Sequence, residues 1–425
     1  MNKLIRAAAA YIFAGAAIAS HAAALPESKP EDVGMSSQRL ARLDATMQKA
    51  VESGELPGVV ILIARDGRLA YAKSFGWQDR EKKIPMRNDS IFRIYSMTKP
   101  IVSVAAMMLV EEGRLGLHEP VSKFVPEFKE MKVGVEVKDA ATGASTLSLV
   151  NAKRQITVQD LLRHTSGLTY GILGQDTPVK KMYRDAGIFS QKLQTWLLAD
   201  FVKTLAKLPL AFEPGTTWEY GHSTDVLGRV VEVVSGQTLD VFLAERILKP
   251  LKMTDSGFHV PADKLNRLAQ PAPDVYTGKT PELLDVTQPA TFFAGGHGMV
   301  STAGDYLRFA QMLENGGELE GVRILGPKTV EYMSTNHLNP SISHGPTFLP
   351  GPGHGFGLGF GTRLESGQSE WPGTPGDYYW GGYAGTYFWV DPLEDLVPVM
   401  MSQEPVRRPH YRTLLRNLVY QAIIK

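Results

Sequence analysis

The stretch "FRIYSMTKPIVSVAAMMLVEEG" puts Ser96 three residues before Lys99, at the head of an apolar run. Residues at i and i+3 share a helix face, so the amine can come within hydrogen-bond reach of the hydroxyl. A helix start also favours negative charge developing on the serine oxygen. A lysine serves as a base when burial or a neighbouring positive charge disfavours its ammonium form, and Ile101, Val104 and Ala105 supply an apolar setting. The same serine reads equally well as a plain helix cap. No other Ser-x-x-Lys occurs in the chain.

Two further groups could join that pair. In "FEPGTTWEYGHSTDVLGRVVE", Tyr220 follows a Pro-Gly turn and precedes a helical pattern, where a phenol can project into a cleft or pack in the core. His222-Ser223 imitates a nucleophile elbow but lacks its second glycine and its preceding strand, so Ser223 is expected to cap the helix that follows. In "YYWGGYAGTYFWVDP", Gly381 and Gly382 enter a strand-like run. Glycines there allow a close backbone approach, and backbone N–H groups could face a substrate oxyanion; a glycine bulge is the ordinary alternative. His164 is expected to hold a turn, and His297 lies in a glycine-rich loop that could border a cleft. The ten histidines form no metal-binding pair, and "GPGHGFGLGFG" lacks the ending of a phosphate loop.

These residues need a frame. "SSQRLARLDATMQKAVESG" has the apolar spacing of an N-terminal helix, and "GVVILIARDGRLAYAKSFGW" reads as a hairpin. The middle is mostly helical, clearest at "TVQDLLRH", "KLQTWLLADFVKTLAKLP" and "STDVLGRVVEVVSGQTLDVFLAERIL", with a polar excursion or small hairpin at "GVEVKDAATGASTLSLVNAKRQ". β-type patterns return in "GYAGTYFWVDP" and "LVPVMMSQ", followed by a helix from about Tyr411. The simplest arrangement is an α+β fold: a central antiparallel sheet built from both chain ends, flanked by helices, with a mostly helical domain inserted. The expected boundaries are 25–100 with 290–425 for the sheet domain and 101–289 for the helical one.

The chain has 425 residues, 43% of them hydrophobic and 21% charged, which suits a large buried core. A net charge of +1 offers no footprint for nucleic acid. The absence of cysteine removes disulfides and thiolate chemistry. At the N-terminus, Lys3 and Arg6 precede an apolar stretch from Ala7 to Ala19 and then small residues, the order of a secretory signal. Residues 1–24 are therefore expected to direct export, to a periplasm or outside the cell, with cleavage after Ala22 or Ala24. No later apolar run reaches the roughly 20 residues of a membrane span.

Ser-x-x-Lys, then a tyrosine, then a glycine-rich strand near the C-terminus is an ordered set. It resembles the serine β-lactamase and penicillin-binding-protein superfamily, and within it the class C-like branch called family VIII carboxylesterases. The resemblance runs from "GVVILIARDGRLAYAKSFGW" through "FRIYSMTKP", "LLRHTSGL", "FEPGTTWEYGHSTDVLG" and "GGHGMVSTAGDYLRF" to "WGGYAGTYFWVDP". It implies Ser96 as the acylated nucleophile, Lys99 and Tyr220 as the shared base, and the backbone N–H groups of Ser96 and Tyr383 as an oxyanion hole. Each donor of such a hole is worth on the order of 10²-fold in rate. Tyr95, His222, Trp380, Gly381 and Gly382 are implied to line the substrate site. His222 stands where a β-lactamase has an asparagine and Trp380 where it has a lysine. Both changes suit a neutral, small-molecule ester better than a β-lactam. The resemblance implies no cofactor.

Overall fold

The computed structural model describes residues 25–138, 145–188 and 195–425. The expected signal segment, 1–24, lies outside them. One eight-stranded sheet organises the rest. Its strands are β1 (Gly58–Arg65), β2 (Arg68–Asp79), β3 (Ile84–Pro85), β4 (His354–Phe356), β5 (Gly361–Arg363), β6 (Tyr378–Gly381), β7 (Tyr387–Val390) and β8 (Leu396–Ser402). They lie in the order β4-β5-β6-β7-β8-β1-β2-β3, every neighbour antiparallel. The two chain ends meet where β1 pairs with β8, Val59 opposite Ser402 through Arg65 opposite Leu396.

The sequence of β1, "GVVILIAR", explains its central place. All eight residues are buried. Val60, Leu62 and Ala64 join the larger core, while Val59, Ile61 and Ile63 face a second core with Leu40, Leu43, Trp389 and Leu415. A strand covered on both faces can be apolar throughout, each large side chain contributing roughly 1.5–3 kcal/mol. The β1–β2 turn falls on Asp66 and Gly67, both at positive φ (53° and 68°), the geometry that suits the twist of a two-residue hairpin.

Helices α1 (Ser37–Glu52) and α8 (Arg408–Tyr420) cover the second core. On the other face lie α2 (Thr98–Glu111) and α7 (Ala303–Glu314), and beyond them α3 (Val158–Leu162), α4 (Leu198–Leu205), α5 (Ser223–Ser235) and α6 (Leu239–Leu243). Every residue of α2 from Thr98 to Leu109 is buried, the mark of a helix packed on all sides. The expected excursion is a small hairpin, Lys132–Lys138 against Ser145–Asn151. Among the described residues no helix is long and apolar enough to cross a membrane.

Several local expectations need correction. The run around Gly381 is a hairpin rather than one strand: Gly381 ends β6, and residues 382–386 turn tightly before β7. The glycine-rich "HGFGLGFGTR" forms β4 and β5. The last helix starts at Arg408, three residues early, with Pro409 in its first turn, where a missing N–H is harmless. Of the helix expected over "KLQTWLLADFVKTLAKLP", Leu198–Leu205 is helical and residues 192–194 lie outside the described residues.

Candidate active site

Ser96 sits on a short turn, Tyr95–Met97, that leads straight into α2. Tyr95 is held at φ 43°, a strained region for a residue with a side chain, which costs on the order of 1–3 kcal/mol. Its side chain is pinned at both sides. The hydroxyl accepts the Leu284 N–H at 2.7 Å, and its ring meets the edge of Tyr383 at 5.4 Å. The first turn of α2 is anchored too, because the Met97 carbonyl accepts the Tyr306 hydroxyl at 2.9 Å.

Lys99 lies one turn on and is 1% exposed. Its Nζ donates to Ser96 Oγ at 3.3 Å, to the Tyr170 hydroxyl at 2.8 Å and to the Gly296 carbonyl at 2.7 Å. Among the described residues it pairs with no carboxylate. The spacing argument from the sequence therefore holds for these two residues. Tyr220 is beside them, but its ring, not its hydroxyl, faces the lysine, with Nζ 4.6 Å from the ring centroid. The Tyr220 hydroxyl accepts the indole N–H of Trp380 at 3.2 Å. Trp380 is thus more than an apolar wall: it ties β6 to the phenol.

Three residues missed by the sequence reading complete this arrangement. Tyr170 lies two residues past "LLRHTSGL", a stretch in which the sequence singles out only His164. Burial first, then the nearby Tyr220 and Asp225, push its phenol well above the usual range, so it meets Lys99 as a neutral oxygen. Asp225 is fully buried, accepting the Gly296 N–H at 2.8 Å and standing 2.8 Å from Nδ1 of His222. Burial alone would raise its carboxyl, but the His222 contact, with His297 and Lys99 nearby, holds it down at about 2. Gly296 fits between Asp225 and Tyr170, where a Cβ would stand 3.0 to 3.1 Å from both. The carboxylate thus fixes the loop whose carbonyl receives Lys99. His297 in the same loop does border the cleft, and burial lowers its imidazole to about 4, leaving it neutral at pH 7.

Two smaller readings change. Ser223 is not the cap of α5: it is the first helical residue, its Oγ 2.8 Å from that of Ser166, and His222 takes the cap position. The turn at His164 is held by its backbone, while its ring packs on Tyr220 and Trp218 and its Nδ1 has no hydrogen-bond partner among the described residues.

Across the cleft, β6 and its turn come close to Ser96. A Cβ on Gly382 would lie 2.2 Å from the Ile94 carbonyl and from Thr386 Oγ1, so only glycine lets this turn dock against the segment before the serine. Thr386 Oγ1 donates to that Ile94 carbonyl at 3.3 Å. The Tyr383 N–H donates to no carbonyl of the turn among the described residues. Ser96, Tyr170, Tyr220 and His297 open onto one cavity of about 900 Å³, which also reaches Ile172, Phe292, Leu349 and Trp371, with Lys99 just behind its wall. Tyr95, Ser96, Tyr220, His222, Trp380, Gly381, Gly382 and Tyr383 line it together.

The fold and this cleft are those of a family. The family model described as Beta-lactamase matches residues 43–421. The chain is 36% identical over 373 residues to Protein Rv1367c of Mycobacterium tuberculosis, an alignment covering 84% of this chain and 88% of the relative. It is 33% identical over 365 residues to Esterase EstB of Burkholderia gladioli, covering 79% and 85%. The solved structure of EstCE1, described as a hydrolase with promiscuous acyltransferase activity, superimposes with a TM-score of 0.76 at 29% identity, covering 90% of this chain and 99% of that one. The chain belongs to the β-lactamase family, on the side of the serine β-lactamase superfamily that holds the family VIII esterases. It is a serine hydrolase of the serine β-lactamase superfamily.

Proposed function

We propose that the protein is an exported serine carboxylesterase that cleaves small or short-chain esters through an acyl-enzyme on Ser96. The observation that carries this reading is the contact of Lys99 Nζ with Ser96 Oγ at 3.3 Å, at the edge of a large cavity whose walls replace two β-lactam-binding positions by His222 and Trp380. Lys99 and Tyr220 take the serine proton as Oγ attacks the ester carbonyl. The carbonyl oxygen becomes an oxyanion held by the N–H groups of Ser96 and Tyr383. When the intermediate collapses, the C–O bond to the alcohol breaks and the proton passes through Tyr220 to the departing oxygen. A water molecule, deprotonated by the same pair, then attacks the acyl carbon and releases the acid and Ser96. Export rests on the order of basic, apolar and small residues in 1–24.

A second reading, β-lactam or D,D-peptide hydrolysis, is favoured by the family match alone. The two are separated by comparing turnover of p-nitrophenyl butyrate with that of nitrocefin. The esterase reading expects the ester to be much the better substrate, and a strong preference for nitrocefin would overturn it.

A further inference from the structure

One fully buried acid takes no part in the chemistry above, although it stands beside the site. Glu219 follows the short strand Thr217–Trp218 and immediately precedes Tyr220, and its side chain is inaccessible. Its carboxylate collects donors from three different segments. Oε1 accepts Thr169 Oγ1 at 2.7 Å and pairs with Lys180 Nζ at 3.2 Å, and Oε2 accepts Thr347 Oγ1 at 2.8 Å. All three partners are themselves buried. Lys180, in the helix Pro178–Asp185, passes the contact on by donating to the Leu173 carbonyl at 2.6 Å.

These segments carry two parts of the cavity wall. Thr169 adjoins Tyr170, with Ile172 and Leu173 following, and Thr347 lies two residues before Leu349 and Pro350. The two stretches touch at Gly174, where a Cβ would fall 2.4 Å from Thr347 Cγ2. Beside that contact each leaves an apolar side chain open at the cavity: Ile172 is 49% exposed and Leu349 52%. A buried ion pair is poorly explained by stability alone, because apolar residues of the same volume often serve as well. Its distinct property is geometric. Charge-assisted hydrogen bonds are short and directional, so both stretches have one register against Tyr220.

We propose that Glu219 is a positioning residue that latches these two walls together, so that the apolar chain of an ester's alcohol is gripped between Ile172–Leu173 and Leu349–Pro350. The half of the ester follows from Tyr220. Phe348 sets its ring edge-on to Trp218, and the Tyr379 hydroxyl donates to the Pro350 carbonyl at 3.0 Å, which puts the second wall on the side where Tyr220 meets Trp380. Under the proposed function that phenol hands its proton to the departing alcohol. An alkyl chain there covers both half-exposed side chains, and each methylene so buried favours the longer alcohol.

This inference rests on the esterase reading for its placement, and the test keeps the two apart. Turnover of hexyl butyrate is compared with that of ethyl butyrate, whose leaving oxygens are alike, in the wild type, Thr347→Val and Thr347→Ser. Valine keeps the shape of threonine and removes the hydroxyl donor, whereas serine keeps the donor. The wild type is expected to favour the hexyl ester. The ratio of kcat/KM, hexyl over ethyl, should fall about tenfold in Thr347→Val, mainly through KM, and recover in Thr347→Ser. Glu219→Gln, which weakens all three contacts, should lower the ratio at least as far. A plain loss of folded protein lowers both turnovers together and leaves the ratio unmoved. In parallel, tryptophan fluorescence follows binding of the product alcohols, 1-hexanol against ethanol. The wild type is expected to prefer hexanol, and Thr347→Val to lose that preference. A ratio and a preference that ignore Thr347 and Glu219 would overturn the latch while leaving ester hydrolysis standing. Failure to cleave either ester, with Thr347-dependent binding of hexanol intact, would instead remove the esterase reading and keep the latch.

Discussion

Buried basic side chains are handled in two ways in this molecule. Around Asp377, which precedes β6, the carboxylate receives Arg363 Nε at 2.7 Å from β5 and Arg416 Nη1 at 2.8 Å from α8, with all three side chains inaccessible. One carboxylate oxygen thus serves both guanidiniums and ties β5, β6 and α8 together. Around the cleft, Lys99 and Arg412 are met by hydroxyl and carbonyl oxygens instead, and Arg412 lies just one helical turn from Arg416. The two guanidiniums at Asp377 are held by a carboxylate sealed inside the protein, whereas Lys99 and Arg412 are held by neutral oxygens at or just behind the cavity wall, where Arg412 and Ser96 line it. The first arrangement holds the sheet that carries Trp380; the second borders what enters.

The contrast breaks most sharply at Lys99. Lys99→Met removes a base but strands no carboxylate, so ester turnover is expected to fall by at least about 10³-fold. Its loss of stability should stay below that of the following variant. Asp377→Asn leaves two inaccessible guanidiniums without their counter-charge and should destabilise the fold by about 3–5 kcal/mol in denaturant unfolding. A stability loss confined to Lys99→Met would reverse the account. Tyr170→Phe deletes one of three acceptors around Lys99 and should lower kcat by about tenfold, with a changed pH–rate profile that a mere packing role would not produce.

Acid should reveal the same cluster, with a smaller effect. His297 is held neutral in the folded state, about 4 against its ordinary 6.5, so the unfolded chain binds the extra proton and stability is lost as pH falls from about 6.5 to 4. Asp225 is depressed to about 2 from 3.8, so its contribution is present above about 4 and lost as pH falls through about 2. Denaturation midpoints across this range should decline in both limbs, and His297→Gln should make the upper one shallower, the rest of that limb coming from His164 and His354, which burial also depresses. A midpoint unchanged between pH 6.5 and 4 would contradict the assignment.

What could be read from the sequence follows from distance along the chain. Ser96 and Lys99 are three residues apart, so helical geometry alone predicts their contact. The β1–β2 hairpin and α1 were legible because their periods and turn residues are local. Tyr170 meets Lys99 across 71 positions, and Gly296 across 197, distances over which no periodicity reports a contact. The turn at residues 382–386 was hidden for another reason: aromatic and β-branched residues flank it on both sides, so β6 and β7 merge into one pattern unless the docking of Gly382 on Ile94 is known. Arg412 looks like a surface helix residue in sequence, and only Gly381 hints at the guanidinium above it.

The central claim is that Ser96 is the nucleophile. Incubation with a fluorophosphonate probe, followed by mass mapping of the adduct, tests it without any choice of substrate. The account predicts a single covalent adduct on Ser96, abolished in Ser96→Ala and slowed in Lys99→Met. Labelling at another residue, or undiminished labelling of Ser96→Ala, would contradict it.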